Sequence, residues 1–397
     1  MASETGIRRS NELMKRGGKA THEQLREHNL HLLLRAVYSG VANNRAALAQ
    51  HTGLAKPTVS ELVSELIRLG LLAEGGHGQS GESGGKRPRL LEFVPTARQV
   101  IGVSVDSYQV SGVLANLDGA LVARHVADLE GAQEQDALDV LRQVINALIA
   151  QLDAPLLCLG VGVPGVVDAE QGIVRSSPHL LWRELPLSER LQEAYGAPVY
   201  TANSTELAAM AQYTYDTDET VRNLVTILIN HNIEIGIALG GAVYHHGSDI
   251  GCLRLDPATG EGSLEAYLTA PAIKRRAQEL AQQFPGSVLA GSSLSYLDMR
   301  RAEQLGDEAA RQLYDELGSH LARVCAWVIA LLRPDHITIA GPVKTLGEPL
   351  IERVRAQVAS LLPLDSAGQV SYSLADSASL SAVGAVANAL QRELGIW

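Results

Sequence analysis

The sequence predicts an α/β protein in two parts: a small N-terminal helical module of winged helix-turn-helix type, and a larger body of two α/β lobes around a cleft. Three observations predict it. Three amphipathic helical patterns, each closed by a glycine (Gly40, Gly53, Gly70), fall within residues 29–70. Charge is divided: residues 1–98 carry 14 Lys and Arg against 9 Asp and Glu, net +5, which leaves 19 against 35, net −16, for residues 99–397. From Gln99 onward strand and helix patterns alternate, and a strand-hairpin-helix order recurs once.

Composition narrows the class before any motif does. With 46% hydrophobic and 19% charged residues, the chain is neither disordered nor collagenous. The longest apolar run, Val324 to Leu332, is far short of the ~20 residues that span a bilayer. The polar opening of the chain has no apolar signal region, so a cytoplasmic protein with no membrane partner is expected. Cys158, Cys252 and Cys325 are scattered and odd in number, which announces neither a disulfide framework nor an ordinary thiolate zinc site.

The helices come first in order. Leu30, Leu33, Leu34 and Val37 have the i, i+3, i+4, i+7 spacing of one helix face over Asn29 to Tyr38. Asn44 is placed to cap a second, short helix from Arg45 to Gln50, which ends in the turn His51-Thr52-Gly53-Leu54. The third, Lys56 to Leu69, has Pro57 in its first turn and an apolar face of Val59, Leu62, Val63, Leu66 and Leu69. Two helices joined by a tight glycine turn make a helix-turn-helix. Two short strands follow, Leu71 to Glu74 and Leu90 to Val94, joined by a glycine-rich loop that ends Gly84-Gly85-Lys86-Arg87-Pro88-Arg89. This is a wing whose guanidinium groups suit a narrow minor groove. A basic head on an acidic body is the asymmetry of a DNA-binding module joined to something else.

In the body, strands are expected at Val100 to Val105 and Val110 to Asn116, with a hairpin turn at Asp118-Gly119 leading into Leu121 to Leu129. A helix at Asp136 to Gln151, a strand at Pro155 to Val163, a loop through Pro178 and Trp182, a helix at Leu187 to Tyr195, a strand at Pro198 to Thr201 and a helix at Ser204 to Tyr215 complete the first half. The pattern then repeats with strands at Leu224 to Asn230 and Ile235 to Leu239. Helices at Tyr267 to Gln283 and Asp307 to Leu332, a strand at Ile337 to Ala340 and a closing helix at Leu380 to Glu393 finish it.

The run Arg45-Ala46-Ala47-Leu48-Ala49, Thr52-Gly53-Leu54-Ala55-Lys56-Pro57-Thr58-Val59-Ser60, then Gly84-Gly85-Lys86-Arg87-Pro88, resembles the winged helix of ROK-family transcriptional regulators. The body, residues 99–397, is similar to the ROK domain, an actin-like, duplicated ribonuclease H-like fold that such regulators share with glucokinase-type enzymes. The resemblance implies a repressor-type protein, a homodimer or homotetramer on double-stranded DNA, whose body binds a sugar or sugar derivative. The divisions expected are a polar tail at 1–24, the winged helix-turn-helix at 25–95 with its wing at 72–94, one lobe at 99–203 with 380–397, and the other at 204–379. For DNA, the helix from Lys56 enters the major groove by its N-terminal end, with Lys56, Thr58 and Ser60 nearest bases or phosphates. Arg45 holds a phosphate, and Lys86, Arg87 and Arg89 probe the minor groove. A dimer places two such helices about one DNA turn, ~34 Å, apart, so the operator is expected to be palindromic.

Departures from the family pattern argue against phosphotransfer. Kinases of the family carry Asp-x-Gly-Gly-Thr in the first hairpin; here Asp106 stands, but Tyr108, Gln109 and Val110 replace Gly-Gly-Thr. In the second phosphate loop, aligned through Gly236, three glycines have become Asn230, Asn232 and Glu234, and a carboxylate there repels a phosphate. The family's catalytic aspartate aligns with Ser204, which near neutral pH is no base. No catalytic residue and no cofactor are therefore expected. For the sugar site the resemblance implies Asn203, Ser204, Asp249, Cys252 and Glu265, with His179 where asparagine is common; Asn203 and Glu265 match the family, Asp249 is a shortened carboxylate, and Cys252 replaces a histidine. A polar site that loses partners rejects its old ligand, so the effector is an unusual carbohydrate or none. The family's structural zinc needs four N or S ligands, and this stretch supplies Cys252 alone, so no metal is expected. His245, His246, Asp249 and Cys252 are the alternative set. Two rival readings stay open: a ligand-independent regulator whose body only oligomerises, and an active sugar kinase fused to a DNA-binding module.

Overall fold

A computed structural model of the chain describes residues 22–77, 89–106, 109–129, 134–216, 220–244, 248–254, 262–290, 294–362, 370–375 and 377–396. The chain divides into two compact units, one running to Ala97 and joined by the C-terminal residues from Leu390, the other spanning Arg98–Ala389.

In the first unit, helices His22–Tyr38, Arg45–Thr52 and Lys56–Arg68 precede strands β1 (Leu72–His77) and β2 (Arg89–Phe93), an antiparallel pair. The first helix begins seven residues before the expected Asn29, because the segment His22 to His28 is polar and shows no apolar period to a reader of the sequence. The punctuation holds: the Asn44 side chain accepts from the Ala47 N–H at 3.0 Å, and Gly53 ends the second helix in the left-handed conformation, φ +71°. Leu33, Leu34, Leu48, Val59, Leu62, Val63, Leu66, Leu72 and Leu91 are buried, whereas Leu69, expected on the same apolar face, is exposed because it caps the end of its helix, and Leu30 is half-buried.

The second unit opens with β3 (Gln99–Val105), β4 (Gln109–Asn116) and β5 (Leu121–Asp128), a meander that turns at Gly119, φ +79°. After helix Glu134–Ile149, β6 (Leu156–Val163) pairs parallel to β3. The stretch expected as a loop is a small antiparallel sheet of β7 (Val166–Asp168), β8 (Ile173–Ser177) and β9 (Trp182–Leu185), whose strands are too short to show an alternation. Helix Leu187–Tyr195 and β10 (Val199–Asn203) complete a five-stranded sheet in the order β10-β6-β3-β4-β5.

Helix Ser204–Ala211 leads to the other lobe and continues as a π-helical turn, Gln212–Asp216, where a single α-helix to Tyr215 is expected from the sequence. Strands β11 (Leu224–Ile229), β12 (Ile233–Leu239), β13 (Ala242–Val243), β14 (Ser248–Asp249), β15 (His336–Ala340) and β16 (Ser371–Ala375) form the second sheet, in the order β13-β12-β11-β15-β16 with β14 on β12. Helices Ala270–Gln283 and Glu308–Leu332 cover it. The helix expected from Tyr267 is broken at Thr269, ψ 153°, because Pro271 in the next turn starts a new one. Helices Tyr296–Gln304 and Glu348–Leu361 and strand β16 are further elements that the sequence reading did not anticipate.

Two helices hold the lobes to one another. All eight residues of Ser204–Ala211 are buried. The last helix, Ser377–Leu394, lies on the first sheet so closely that a Cβ on Gly160 would stand 2.0 Å from the Ala385 carbonyl oxygen. It crosses Ser204–Ala211 at Gly384, where a Cβ would stand 1.8 Å from the Leu207 carbonyl oxygen.

Candidate functional site

The helix Lys56–Arg68 begins in a way that favours an anion. Its N-cap is Ala55, which supplies no side-chain hydrogen bond, and its first turn holds no acidic residue. The first N–H groups are left to solvent or a ligand, at the positive end of the helix dipole. Lys56 and Ser60 are exposed and Thr58 is half-buried. Thus the end expected to enter a groove is accessible, and its lysine opposes the helix dipole unless an anion lies beside it.

Arg45 and Arg89 behave differently from the expectation that they are free for phosphate and minor groove. Both hydrogen-bond to Glu74 on β1, Arg45 at 2.8 Å. Arg89, then Arg45, hold the Glu74 carboxyl below the usual carboxylate range. Glu74 draws the start of the second helix and both wing strands together. Lys86 and Arg87 lie outside the described residues.

In the body, the expected ligand residues gather around the β11–β12 turn, Asn230 to Glu234. Asn203 ends β10 and caps the helix Ser204–Ala211: its Oδ1 accepts from Thr205 N–H at 2.8 Å and Glu206 N–H at 3.2 Å. Its Nδ2 donates to the Gly165 carbonyl at 2.8 Å, so most of its hydrogen-bonding capacity is used within the fold. Ser204 is buried, and its carbonyl accepts from the Ser381 hydroxyl at 2.8 Å. Glu234, 4% exposed, accepts a hydrogen bond from the Thr205 hydroxyl. β12 approaches the helix so closely that a Cβ on Gly236 would lie 2.2 Å from the Thr205 carbonyl oxygen. Asp249 lies opposite Glu234 in the β12–β14 register.

Glu265 begins helix Glu265–Leu268, and its N–H donates to the Gly251 carbonyl at 3.1 Å, which places the neighbour of the exposed Cys252 against it. His179 stacks on His231 with ring centroids 6.1 Å apart and planes at 23°, a contact between the turn after β8 and the turn between β11 and β12. Burial, and next the neighbouring His179, push the His231 imidazole below the usual histidine range.

His231, Glu206 and Ser177 escaped the sequence reading. Glu206 and Ser177 are buried, and the Ser177 hydroxyl has no hydrogen-bond partner among the described residues. Ser177 borders Gly165, the acceptor of Asn203. A histidine between two asparagines, Asn230-His231-Asn232, in a loop where the related kinases carry glycine is the signal that could have found His231.

The donor set does not fit the groups that the fold family brings with it. A nucleotide phosphate in this cradle would meet the buried Glu234, and no carboxylate stands at Ser204 to take a proton. In place of the family's cysteine segment, Arg254 and Ser263 form an antiparallel bridge. Among the described residues no group of three or more His, Cys, Asp or Glu could hold a metal ion, and His245 and His246 lie outside them. No helix among the described residues is long and apolar enough to cross a membrane.

Comparison with known proteins agrees with both parts. The xylose repressor of Bacillus subtilis strain 168 is 26% identical over 345 residues, covering 84% of this chain and 86% of its own. A solved ROK family transcriptional regulator, described as a homolog of the E. coli Mlc protein, superposes with a TM-score of 0.78 at 24% identity over 93% of this chain and 98% of that one. A ROK family glucokinase from Streptomyces griseus, solved with glucose and AMPPNP, gives 0.63 at 18% identity over 73% and 98%. The IclR helix-turn-helix domain matches residues 43–75. The ROK family matches residues 100–392, nearly the whole body, and the chain belongs to that family.

Proposed function

We propose that this protein is a DNA-binding transcriptional regulator, a repressor of carbohydrate-related genes, whose kinase-like body senses a sugar or sugar derivative and transfers no phosphate. The observation that carries the reading is Glu234: a buried carboxylate on β12, bonded by the Thr205 hydroxyl, stands at a position that the resemblance aligns with a glycine of the kinases' phosphate loop. Ser204 in place of a general base supports it, and so do relatives named as repressors, among them the xylose repressor. The head reads a palindromic operator as a homodimer or homotetramer, with Lys56, Thr58 and Ser60 at the major groove and Arg87, Lys86 and Arg89 at the minor groove. Phosphate competes with Glu74 for Arg45 and Arg89.

The effector meets His179, the remaining Nδ2 proton of Asn203, Asp249, Cys252 and Glu265. The Ser177 hydroxyl, buried and without a partner among the described residues, is the group such a ligand would satisfy. One observation favours a second reading. Asn203 already makes three hydrogen bonds within the fold, as it would in a body that binds no sugar and only oligomerises.

The test is fluorescence anisotropy of duplexes selected by the protein from a random library, titrated with monosaccharides, disaccharides, amino sugars and their phosphates. Salt-dependent binding to a palindrome, released by a sugar and weakened by Arg87→Ala, is the expected result. Operator binding indifferent to every sugar decides for the oligomerising body. ADP release above background with ATP and a hexose sinks both readings.

A further inference from the structure

We propose that the body has a second ligand site, for a small organic anion bearing a carboxylate or a phosphate ester, in a groove between the outer edges of the two sheets. A cavity of about 540 Å³ lies there, within the ordinary size of a small-molecule site. It shares no residue with the cleft around Asn203 and His231. β5 and the Gly119 turn bound it on one lobe and β15 and β16 on the other, and further lining comes from Ala211, the π-helical turn after it and the N-terminal part of Ser377–Leu394. Gly119 lies at the end of β4 away from Asp106, and His336 at the end of β15 away from Gly341, which itself abuts Asn230 of the cleft.

The chemistry of the lining is one-sided. Arg124 donates to the Ser379 hydroxyl at 2.8 Å, and no carboxylate lines the groove among the described residues. Several other arginines of this acidic body face carboxylates: Arg175 meets Asp168 and Glu184, Arg276 meets Glu316, and Arg353 meets Glu303 and Asp315. A guanidinium held against a neutral hydroxyl leaves forked donors that match a carboxylate or phosphate. His336 adds no charge: its ring nitrogens lie 2.7 and 2.8 Å from the hydroxyls of Ser371 and Ser373, and burial holds its imidazole below the usual range. Leu121, Leu374 and Leu380 give the remainder of the ligand an apolar wall. Because both lobes supply lining residues, an anion bound there favours one spacing of the two sheets over others.

Isothermal titration of the full-length protein at low salt, with inorganic phosphate, glycerol phosphate and pyruvate in turn, tests the site. The variants are Arg124→Gln, whose position on the exposed edge strand leaves the core untouched, and His179→Ala in the cleft. The expected result is one site per chain for at least one probe, with a Kd below ~1 mM. Arg124→Gln weakens it at least tenfold with an unchanged melting temperature, and His179→Ala leaves it as it was. Glycerol phosphate alone assigns the ester class and pyruvate alone the carboxylate class, and either supports the proposal. No heat with any probe, equal binding in Arg124→Gln, or binding lost in His179→Ala overturns it. Because the sugar cleft is probed by a different variant, failure here leaves the reading of that cleft standing.

Discussion

The head and the body of this chain handle their polar residues in opposite ways. In the head, the N-terminal turn of Lys56–Arg68 is uncapped and exposed, while Arg45 and Arg89 are held by one partly exposed carboxylate, Glu74. In the body, Asn203, Thr205 and Glu234 are buried and hydrogen-bonded to the fold itself. A surface kept open this way suits a large, charged partner such as DNA. A cleft tied together internally suits the proposed reading of a body that transfers no phosphate. The difference teaches that one chain can pair its buried polar groups from within the fold while leaving a helix end open at the surface, since a buried group left unsatisfied costs more than one that is paired.

Four substitutions break or sharpen that comparison. The largest effect belongs to the body: Gly236→Val drives a side chain into the Thr205 carbonyl, and a loss of about 1–3 kcal/mol, read as a lower melting temperature of the body, is expected. An unchanged melting temperature would mean that β12 and the helix Ser204–Ala211 are not locked. Next, Lys56→Ala lowers operator affinity about tenfold and reduces the slope of log affinity against log salt by about one. A loss with no change of slope would remove the phosphate contact from the account.

Smaller is Glu74→Gln, which frees Arg45 and Arg89 and raises DNA affinity by about 1.5- to 5-fold, the range typical of an exposed ion pair. Weaker binding would show instead that Glu74 positions the arginines for DNA. The smallest concerns pH. The His231 imidazole is depressed in the folded state, so the unfolded chain takes up a proton first as pH falls through ~6.5, and stability drops from there down to the folded value. His231→Gln should flatten the dependence of melting temperature on pH in that window, and an unaltered curve would locate the acid sensitivity elsewhere.

Much of the head was legible because its signals are local. Asn44, Gly53, Pro57 and Gly70 each act on the backbone within a few residues of themselves, and the structure has them doing so. The helix Leu187–Tyr195 and the Gly119 turn were readable for the same reason. Strands β7 to β9 were not, because strands of three to five residues around a turn carry too few alternations to register as strands. In the cleft, motif positions identified Asn203, Ser204 and Glu234, yet nothing in their order says that Thr205 bonds Glu234 or that His179 finds His231.

The sequence by itself determined the two-part build, the helix-turn-helix and the ROK body, because caps, periods and motif residues act through neighbouring positions along the chain. The tertiary structure decided which polar groups remain available. Glu74 joins arginines 29 and 15 residues away, Asn203 reaches a carbonyl 38 residues back, and Arg124 meets Ser379 across 255 residues. Such pairings depend on how the sheets and helices pack, and a side chain's partner across that distance is set by the fold rather than by the residues beside it.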